Sequence, residues 1–289
     1  MSGKMFEGKV VIITGAGGGI GKEYALYFAR EGAKVVVNDL GADRTGTGKG
    51  GAAALVVEEI KAAGGDAVAN MESVATREGA DSIMWSAIAK YGKIDILINN
   101  AGILRDRTLV NMVDGDWDLI MDVHLKGTYL CSQAAARIFK AQKTGGRIIN
   151  TTSLAGLLGN FGQTNYGSAK AGIYGFTRVA SMELAKMGVT VNAIAPVALT
   201  RLTEDIAMLK GAGKEGMGPQ LIVPAVAFLC SEYGKDITGQ VVGVQGGRVF
   251  IYKMGMSDGV MKEPTEGVWT VEEIKDKWND ICANVQPAY

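Results

Sequence analysis

Short apolar runs alternating with longer amphipathic segments predict an α/β fold, a doubly wound parallel sheet of about seven strands in a single domain. Two further observations agree. A glycine-rich turn directly follows the first run, and no Pro-rich or Ser-rich linker, internal repeat or low-complexity tract divides the chain. The runs occupy residues 10–14, 35–38, 67–69, 94–99, 147–151, 189–195 and 240–244. Each of the first six reads as a buried parallel strand, with a helix between it and the next. Helices rich in small and apolar residues are expected over about 116–143 and 166–187. Two segments break the rhythm, a Gly-rich insertion at 40–51 and a loop-like stretch at 200–220. Both leave the C-terminal edge of the sheet, where ligands bind in this architecture. The main domain is expected to span residues 1–261, followed by an extension over 262–289. There Thr270 and Glu273 form a capping-box pattern, and Val271, Ile274, Trp278 and Ile281 follow at helical spacing. That helix is expected to pack on the body or on a neighbouring subunit.

Thirty Lys and Arg residues balance thirty Asp and Glu, so no global field recruits nucleic acid or an anionic membrane. A nucleotide or another small molecule is the expected partner. Cys131, Cys230 and Cys282 are odd in number and widely spaced, which suits neither a disulfide framework nor a zinc site, and no metal is expected. The N-terminus has no apolar leader before Val10, and no stretch approaches the roughly 18 apolar residues of a membrane span. A reducing cytoplasm is the expected compartment.

Tyr166 and Lys170 stand at i and i+4, on one face of a helix, and Ser153 lies thirteen residues before the tyrosine at the end of the fifth run. A free tyrosine titrates near about 10 and is a poor base at neutral pH. An ammonium beside it favours the phenolate and lowers that value. The glycine-rich turn runs from Gly15 through Gly17, Gly18 and Gly19 to Ile20 and Gly21. It lets the backbone approach a pyrophosphate, whose charge is met by the free N–H groups and dipole of the helix that follows. Ile20 breaks the common G-x-G-x-x-G spacing. Asp39 ends the second strand region; it either binds adenosine ribose hydroxyls and repels a 2′-phosphate, selecting NAD over NADP, or caps the next turn. Nearby Arg44 offers a phosphate a partner. Asn99-Asn100-Ala101-Gly102 closes the fourth run with small and polar residues suited to a cofactor cleft.

Thr14-Gly15-x-x-x-Gly19-x-Gly21, Asn99-Asn100-Ala101-Gly102, Ser153, Tyr166-x-x-x-Lys170 and Pro196, in this order, resemble the classical short-chain dehydrogenase/reductase family over roughly residues 5–250. The resemblance implies a Rossmann-type, NAD-dependent oxidoreductase. It makes Tyr166 the general acid or base, gives Lys170 the tasks of lowering its pKa and holding the nicotinamide ribose, and gives Ser153 the reacting oxygen. The candidate cofactor residues are Gly15, Gly17, Gly19, Ile20, Gly21, Asp39, Ser73, Val74, Asn100, Ala101, Gly102, Tyr166, Lys170, Pro196, Val197 and Leu199. Val197 replaces the family's usual glycine.

A narrower resemblance rests on Asn38-Asp39-Leu40-Gly41, Gly46-x-Gly48-Lys49-Gly50, the stretch from Ala101 to Arg107, and Gly159-Asn160-Phe161-Gly162-Gln163. These look like the dehydrogenase domain of peroxisomal multifunctional enzyme type 2. That branch oxidises (3R)-hydroxyacyl-CoA and, in animals, 17β-hydroxysteroids. Without the hydratase and sterol-carrier domains of the long animal form, the chain resembles a stand-alone dehydrogenase.

His124, the only histidine, stands where most members of the wider family have a catalytic asparagine. That asparagine holds a water in a proton relay from the lysine; His124 either holds or replaces the water, or packs its helix with a satisfied N–H. The resemblance further implies a homodimer or homotetramer paired through the two long helices. For the substrate it implies a secondary alcohol, with a CoA thioester foremost. The stretch 200–220 adds a physical argument: Leu202, Met208, Leu209 and Met217 offer an acyl chain a cover, while Lys210 and Lys214 offer cations to CoA phosphates. A 3-oxoacyl reductase, a dehydrogenase of steroids or ring alcohols, and a non-catalytic NAD-binding subunit are the alternatives.

Overall fold

A computed structural model describes residues 4–199 and 214–287, in two compact units, Met1–Phe250 and Ile251–Tyr289. The division falls earlier than the boundary expected after residue 261. In chain order the strands of the large sheet are β1 Val10–Thr14, β2 Lys34–Asn38, β3 Asp66–Asn70, β4 Ile96–Asn99, β5 Gly146–Thr151, β6 Val189–Val197, β7 Val241–Gln245 and β8 Arg248–Tyr252. The helices between them are α1 Gly19–Arg30, α2 Ala52–Ala62, α3 Arg77–Tyr91, α4 Asp114–Ile120, α5 Gly127–Gln142, α6 Leu154–Leu157, α7 Thr164–Leu184, α8 Lys214–Met217 and α9 Val223–Cys230. The sheet order is β3-β2-β1-β4-β5-β6-β7-β8, and β1 to β7 pair in parallel.

The sheet therefore has eight strands rather than seven. β8 follows β7 across Gly246-Gly247 alone, with no helix between, and its side chains are exposed or half-buried at the sheet edge. It carries neither of the signals that mark the buried strands.

Both faces of the sheet are covered, which is why its inner strands read as unbroken apolar runs. Along β1 the side chains alternate between two cores. Val11 and Ile13 join Tyr24 and Phe28 of α1 and Val226 of α9, whereas Val10 and Ile12 join Ile83 and Met84 of α3 and Phe139 of α5. Full burial of one such aliphatic side chain stabilises the fold by about 1.5–3 kcal/mol. Strand order reverses between β1 and β4, so their connections diverge and leave a crevice at the C-terminal ends of these two strands.

Two departures from the expected elements stand beside the expected insertion. The long helix expected over 116–143 is interrupted by one π-helical turn, Met121–Lys126, between α4 and α5. A π turn re-aims side chains within an otherwise α-helical rod. The insertion at 40–51 closes on itself, with the Gly50 N–H donating to the Leu40 carbonyl at 3.2 Å, and with Asp43 Oδ1 accepting the N–H groups of Thr45 and Thr47 at 2.8 and 3.0 Å. Of the loop expected over 200–220, the described residues, from 214 on, form α8 and the start of a 3-10 turn, Pro219–Ile222. Leu202, Met208, Leu209 and Lys210 lie outside the described residues.

In the second unit α10, Val271–Asp276, begins with both halves of the capping box in place. Thr270 Oγ1 accepts the Glu273 N–H at 3.2 Å, and a Glu273 oxygen accepts the Thr270 N–H at 2.8 Å. Lys277 ends the helix before a separate turn, Trp278–Ile281, so the expected continuous stripe is broken. Among the described residues no helix is long and apolar enough to cross a membrane.

Candidate active site

At the end of β1 the backbone turns through Gly15 at φ 63°, a left-handed conformation that favours glycine. A Cβ at Gly15 would lie 2.6 Å from Ala101 Cα, and one at Gly21 would strike the Gly15 carbonyl oxygen. These glycines let the turn press against the end of β4. Asn100 Nδ2 donates to the carbonyls of Thr14 and Gly15 at 3.0 Å each, and Thr14 Oγ1 accepts the N–H groups of Asn100 and Ala101 at 3.0 and 3.1 Å. The helix that follows, α1, has no side-chain cap and no acidic residue in its first turn, and a Cβ at Gly18 would meet open space. Uncapped N–H groups beside an open backbone surface fit a pyrophosphate.

The turn borders a cleft of about 220 Å³. Nine of the expected cofactor residues line it: Gly15, Gly19, Ile20, Asp39, Ser73, Val74, Asn100, Ala101 and Gly102. Gly17 and Gly21 serve the turn from behind. Of the two roles weighed for Asp39, the turn contacts are present. Asp39 faces the cleft, and its carboxylate holds two turns in place, Oδ2 accepting the Gly17 N–H at 2.8 Å and Oδ1 the Gly41 N–H at 2.7 Å. Tyr166, Lys170, Pro196, Val197 and Leu199 are not part of the cleft wall. Pro196 and Val197 end β6, and the Leu199 N–H donates to the Met217 carbonyl at 2.6 Å. The opposite wall combines Leu40, Asp43, Arg44 and Gly46 of the insertion with Ile103, Leu119 and Val123. The insertion was expected at this edge, and Ile103 lies in the stretch from Ala101 to Arg107; Leu119 was announced by no motif.

Tyr166 and Lys170 both project from α7 into the protein. Lys170 is 3% exposed, its Nζ donates to the Thr151 carbonyl at 2.6 Å, and it lies 5.5 Å from the Tyr166 ring centroid. Burial drives its pKa down to about 7. Ser153 caps α6, with Oγ accepting the Ala155 N–H at 3.2 Å. Tyr166 is pushed up to about 12 by burial, against the hydrogen bond from Ser153 and with the help of the Asp106 charge. In the protein alone, burial therefore overrides the lowering expected from Lys170, whose proton is directed at Thr151.

His124 comes from the π turn and is 2% exposed. Its Nε2 lies 2.8 Å from the Ile103 carbonyl and 3.2 Å from the Ile103 nitrogen, and its ring meets Tyr166 edge-on at 5.2 Å. Nδ1 is buried without a partner. Burial, then the Lys170 charge, lower the pKa to about 3 against the bond to Ile103, so the imidazole is neutral. A Cβ at Gly102 would lie 2.6 Å from His124 Cε1, which ties the last glycine of Asn-Asn-Ala-Gly to the imidazole. His124 thereby joins the cleft wall to the tyrosine.

A second brace was not expected from the sequence. Arg105 Nη1 and Arg107 Nε both donate to Asp116, at 2.8 and 2.6 Å. Asn165 Nδ2 donates to the Arg105 carbonyl at 3.0 Å while its Oδ1 accepts the Tyr166 N–H at 2.7 Å. The loop after β4 is thus fixed to the start of α7. Its signal in the sequence is only a charged tripeptide and an Asn before the tyrosine.

The profile of the short chain dehydrogenase family matches residues 9–208, and this chain belongs to that family. It is 49% identical over 286 residues to peroxisomal multifunctional enzyme A of Dictyostelium discoideum, covering 98% of this chain and 62% of that protein. A hydroxyacyl-CoA dehydrogenase of Mycobacterium tuberculosis is 39% identical over 288 residues, covering 92% of this chain and 88% of that one. The full-length peroxisomal multifunctional enzyme type 2 of Drosophila melanogaster matches with a TM-score of 0.79 at 38% identity, over 98% of this chain and 47% of that chain. The chain spans between 30% and 62% of the length of the multifunctional relatives it matches. Family and fold define an oxidoreductase that acts on a CH–OH group with a nicotinamide cofactor.

Proposed function

We propose that this chain is an NAD-dependent (3R)-3-hydroxyacyl-CoA dehydrogenase. The observation that carries the reading is the convergence of Ser153, Tyr166 and Lys170 beside a cleft that holds Asp39 and the uncapped start of α1. A nicotinamide cofactor held at this cleft would supply the hydride acceptor for the carbinol carbon. Tyr166 Oη takes the hydroxyl proton, and Ser153 supports the charge that develops on the oxygen. Asp39 disfavours a 2′-phosphate by like charge, which favours NAD. The thioester rests on the relatives' names and on the motifs shared with the type 2 multifunctional branch. Exposed Tyr129 on α5 and exposed Val179 and Met182 on α7 support pairing of these helices in a homodimer or homotetramer. Free Cys131 and Cys230 are buried, in keeping with a reducing compartment such as the cytoplasm, while the relatives' names point to the peroxisome.

Steady-state oxidation of (3R)- and (3S)-3-hydroxybutyryl-CoA, the free acids and a steroid alcohol, each with NAD and NADP, tests the reading. The (3R) thioester with NAD should exceed the free acid by at least about tenfold in kcat/KM, because binding of the remote CoA moiety positions the reacting carbon. Equal use of free alcohols or steroids would refute the thioester, and equal use of NADP would refute the role of Asp39. Arg44 in the cleft wall favours a second reading, an NADPH-dependent 3-oxoacyl reductase, which the same panel separates. Failure to turn over any alcohol would leave the non-catalytic NAD-binding subunit.

For His124 the 2.8 Å contact favours the tautomer in which Nε2–H donates to the Ile103 carbonyl, leaving Nδ1 an acceptor. An acceptor there fits a water that carries protons onward from Lys170. His124→Asn is expected to keep substantial activity, and His124→Leu to lose at least about tenfold in kcat with an altered pH–rate profile. An unchanged Leu variant would reduce His124 to packing.

A further inference from the structure

Asp106 is a carboxylate tied through Gln163 to the start of the helix that carries Tyr166, and the proposed reaction does not use it. It sits in Arg105-Asp106-Arg107, between Ile103 of the cleft wall and α4. Both arginines turn to Asp116, a buried carboxylate, so neither is directed at Asp106. Asp106 Oδ2 accepts from Gln163 Nε2 at 2.7 Å. Gln163 is itself 6% exposed, accepts from Asn160 Nδ2 at 2.9 Å, and immediately precedes α7. A β-bridge between Arg107 and Gln163 doubles the link. The carboxylate is thus fixed at the start of the helix that carries the tyrosine, and its charge acts on the phenol.

The groups facing that phenol from each side are few. Lys170, on α7 itself, donates to Thr151 and is driven toward neutrality by burial. His124, from the π turn, is neutral, and Ser153, from the start of α6, carries no charge. Asp106, from the loop after β4, is exposed and is the one carboxylate among these groups. Partial burial raises the Asp106 carboxyl above its ordinary value, against the hydrogen bond from Gln163 and the charge of Arg44 in the cofactor cleft wall.

We propose that Asp106 is a specificity-determining residue that rejects substrates bearing a free carboxylate near the reacting alcohol and so selects esters and thioesters. In a 3-hydroxy acid the carboxylate lies two carbons from the reacting carbon, close to the charge of Asp106, whereas an ester or thioester is neutral there. The phosphates of CoA lie beyond the pantetheine arm, farther than the roughly 10 Å over which an exposed charge is felt at ordinary salt. Discrimination by like-charge repulsion against the wrong ligand is a general route to specificity. The inference deepens the proposed function and rests on it for the acyl group, but the charge argument applies to any carboxylated secondary alcohol.

Asp106→Asn removes the charge and keeps an oxygen for Gln163. Its kcat/KM should be measured beside wild type for ethyl (3R)-3-hydroxybutyrate, the free acid and the CoA thioester, at low and high salt. The variant should gain at least about fivefold for the acid relative to the ester, on top of any change in rate common to both through Tyr166, with the gain shrinking at high salt. Asp106→Glu, which keeps the charge, should keep the rejection. An ester-to-acid ratio unchanged in Asp106→Asn, a change independent of salt, or the same loss of rejection in both variants would overturn the proposal. A wild type that turns over no thioester would instead refute the proposed function. The charge filter is then read on whichever carboxylated secondary alcohol the wild type oxidises, against its methyl ester.

Discussion

Replacement of Tyr166 by Phe is expected to lower kcat by about three orders of magnitude while leaving NADH affinity within about twofold, since positioned acid–base groups contribute roughly 10²- to 10⁴-fold. The ring fills the same space, and the edge-on contact with His124 survives, so only the phenol is lost. Burial holds that phenol up at about 12 in the protein alone. Below that value the phenolate fraction rises tenfold per pH unit. Alcohol oxidation by the wild type should therefore climb through neutral and alkaline pH, whereas carbonyl reduction, which needs the protonated tyrosine, should not. The Tyr166→Phe variant carries no such group, and its residual rate should lack this dependence. NADH fluorescence titration beside steady-state rates checks both halves. Retention of more than about a tenth of wild-type kcat would remove Tyr166 from the role of acid–base group.

Much of this arrangement was legible in the residues because local patterns report it. The six inner strands are covered on both faces, so hydrophobicity marks them; β3 and β8 form the edges, and β8, joined by Gly246-Gly247, has no such mark. The spacing of Tyr166 and Lys170 places them on one helix face, and the glycine turn shows where a backbone must come close. What spacing cannot weigh is burial. It gives Lys170 to the tyrosine, while the folded chain gives its hydrogen bond to Thr151 and raises the phenol instead of lowering it. The π turn is equally silent, because one turn of different pitch leaves the apolar pattern of α4 and α5 intact while turning His124 inward. The fork of Arg105 and Arg107 on Asp116 joins residues nine and eleven positions apart through a loop whose path no periodicity encodes.

Lys170→Met should abolish most activity yet stabilise the fold at neutral pH, an opposition that separates a functional lysine from a structural one. In the folded chain burial lowers the ammonium pKa to about 7, against an ordinary value of 10.5. Between those values the unfolded chain binds a proton that the folded chain releases, so stability rises with pH through that window. The cost of holding Lys170 is greatest at and below its lower edge. Methionine has similar length and no charge to desolvate, and loss of the bond to the Thr151 carbonyl offsets only part of the gain. The variant should be more stable at pH 7 by about 2–4 kcal/mol, with a flatter dependence of Tm on pH up to about 10. Its kcat/KM should fall by at least about a hundredfold, since neither the phenolate nor the proton path keeps its cation. Calorimetry at pH 7 and 10, set beside pH–rate profiles, reads both effects. A variant that is inactive and also less stable at pH 7 would show that the ammonium is compensated in the fold, and that its removal acts through structure rather than through the tyrosine.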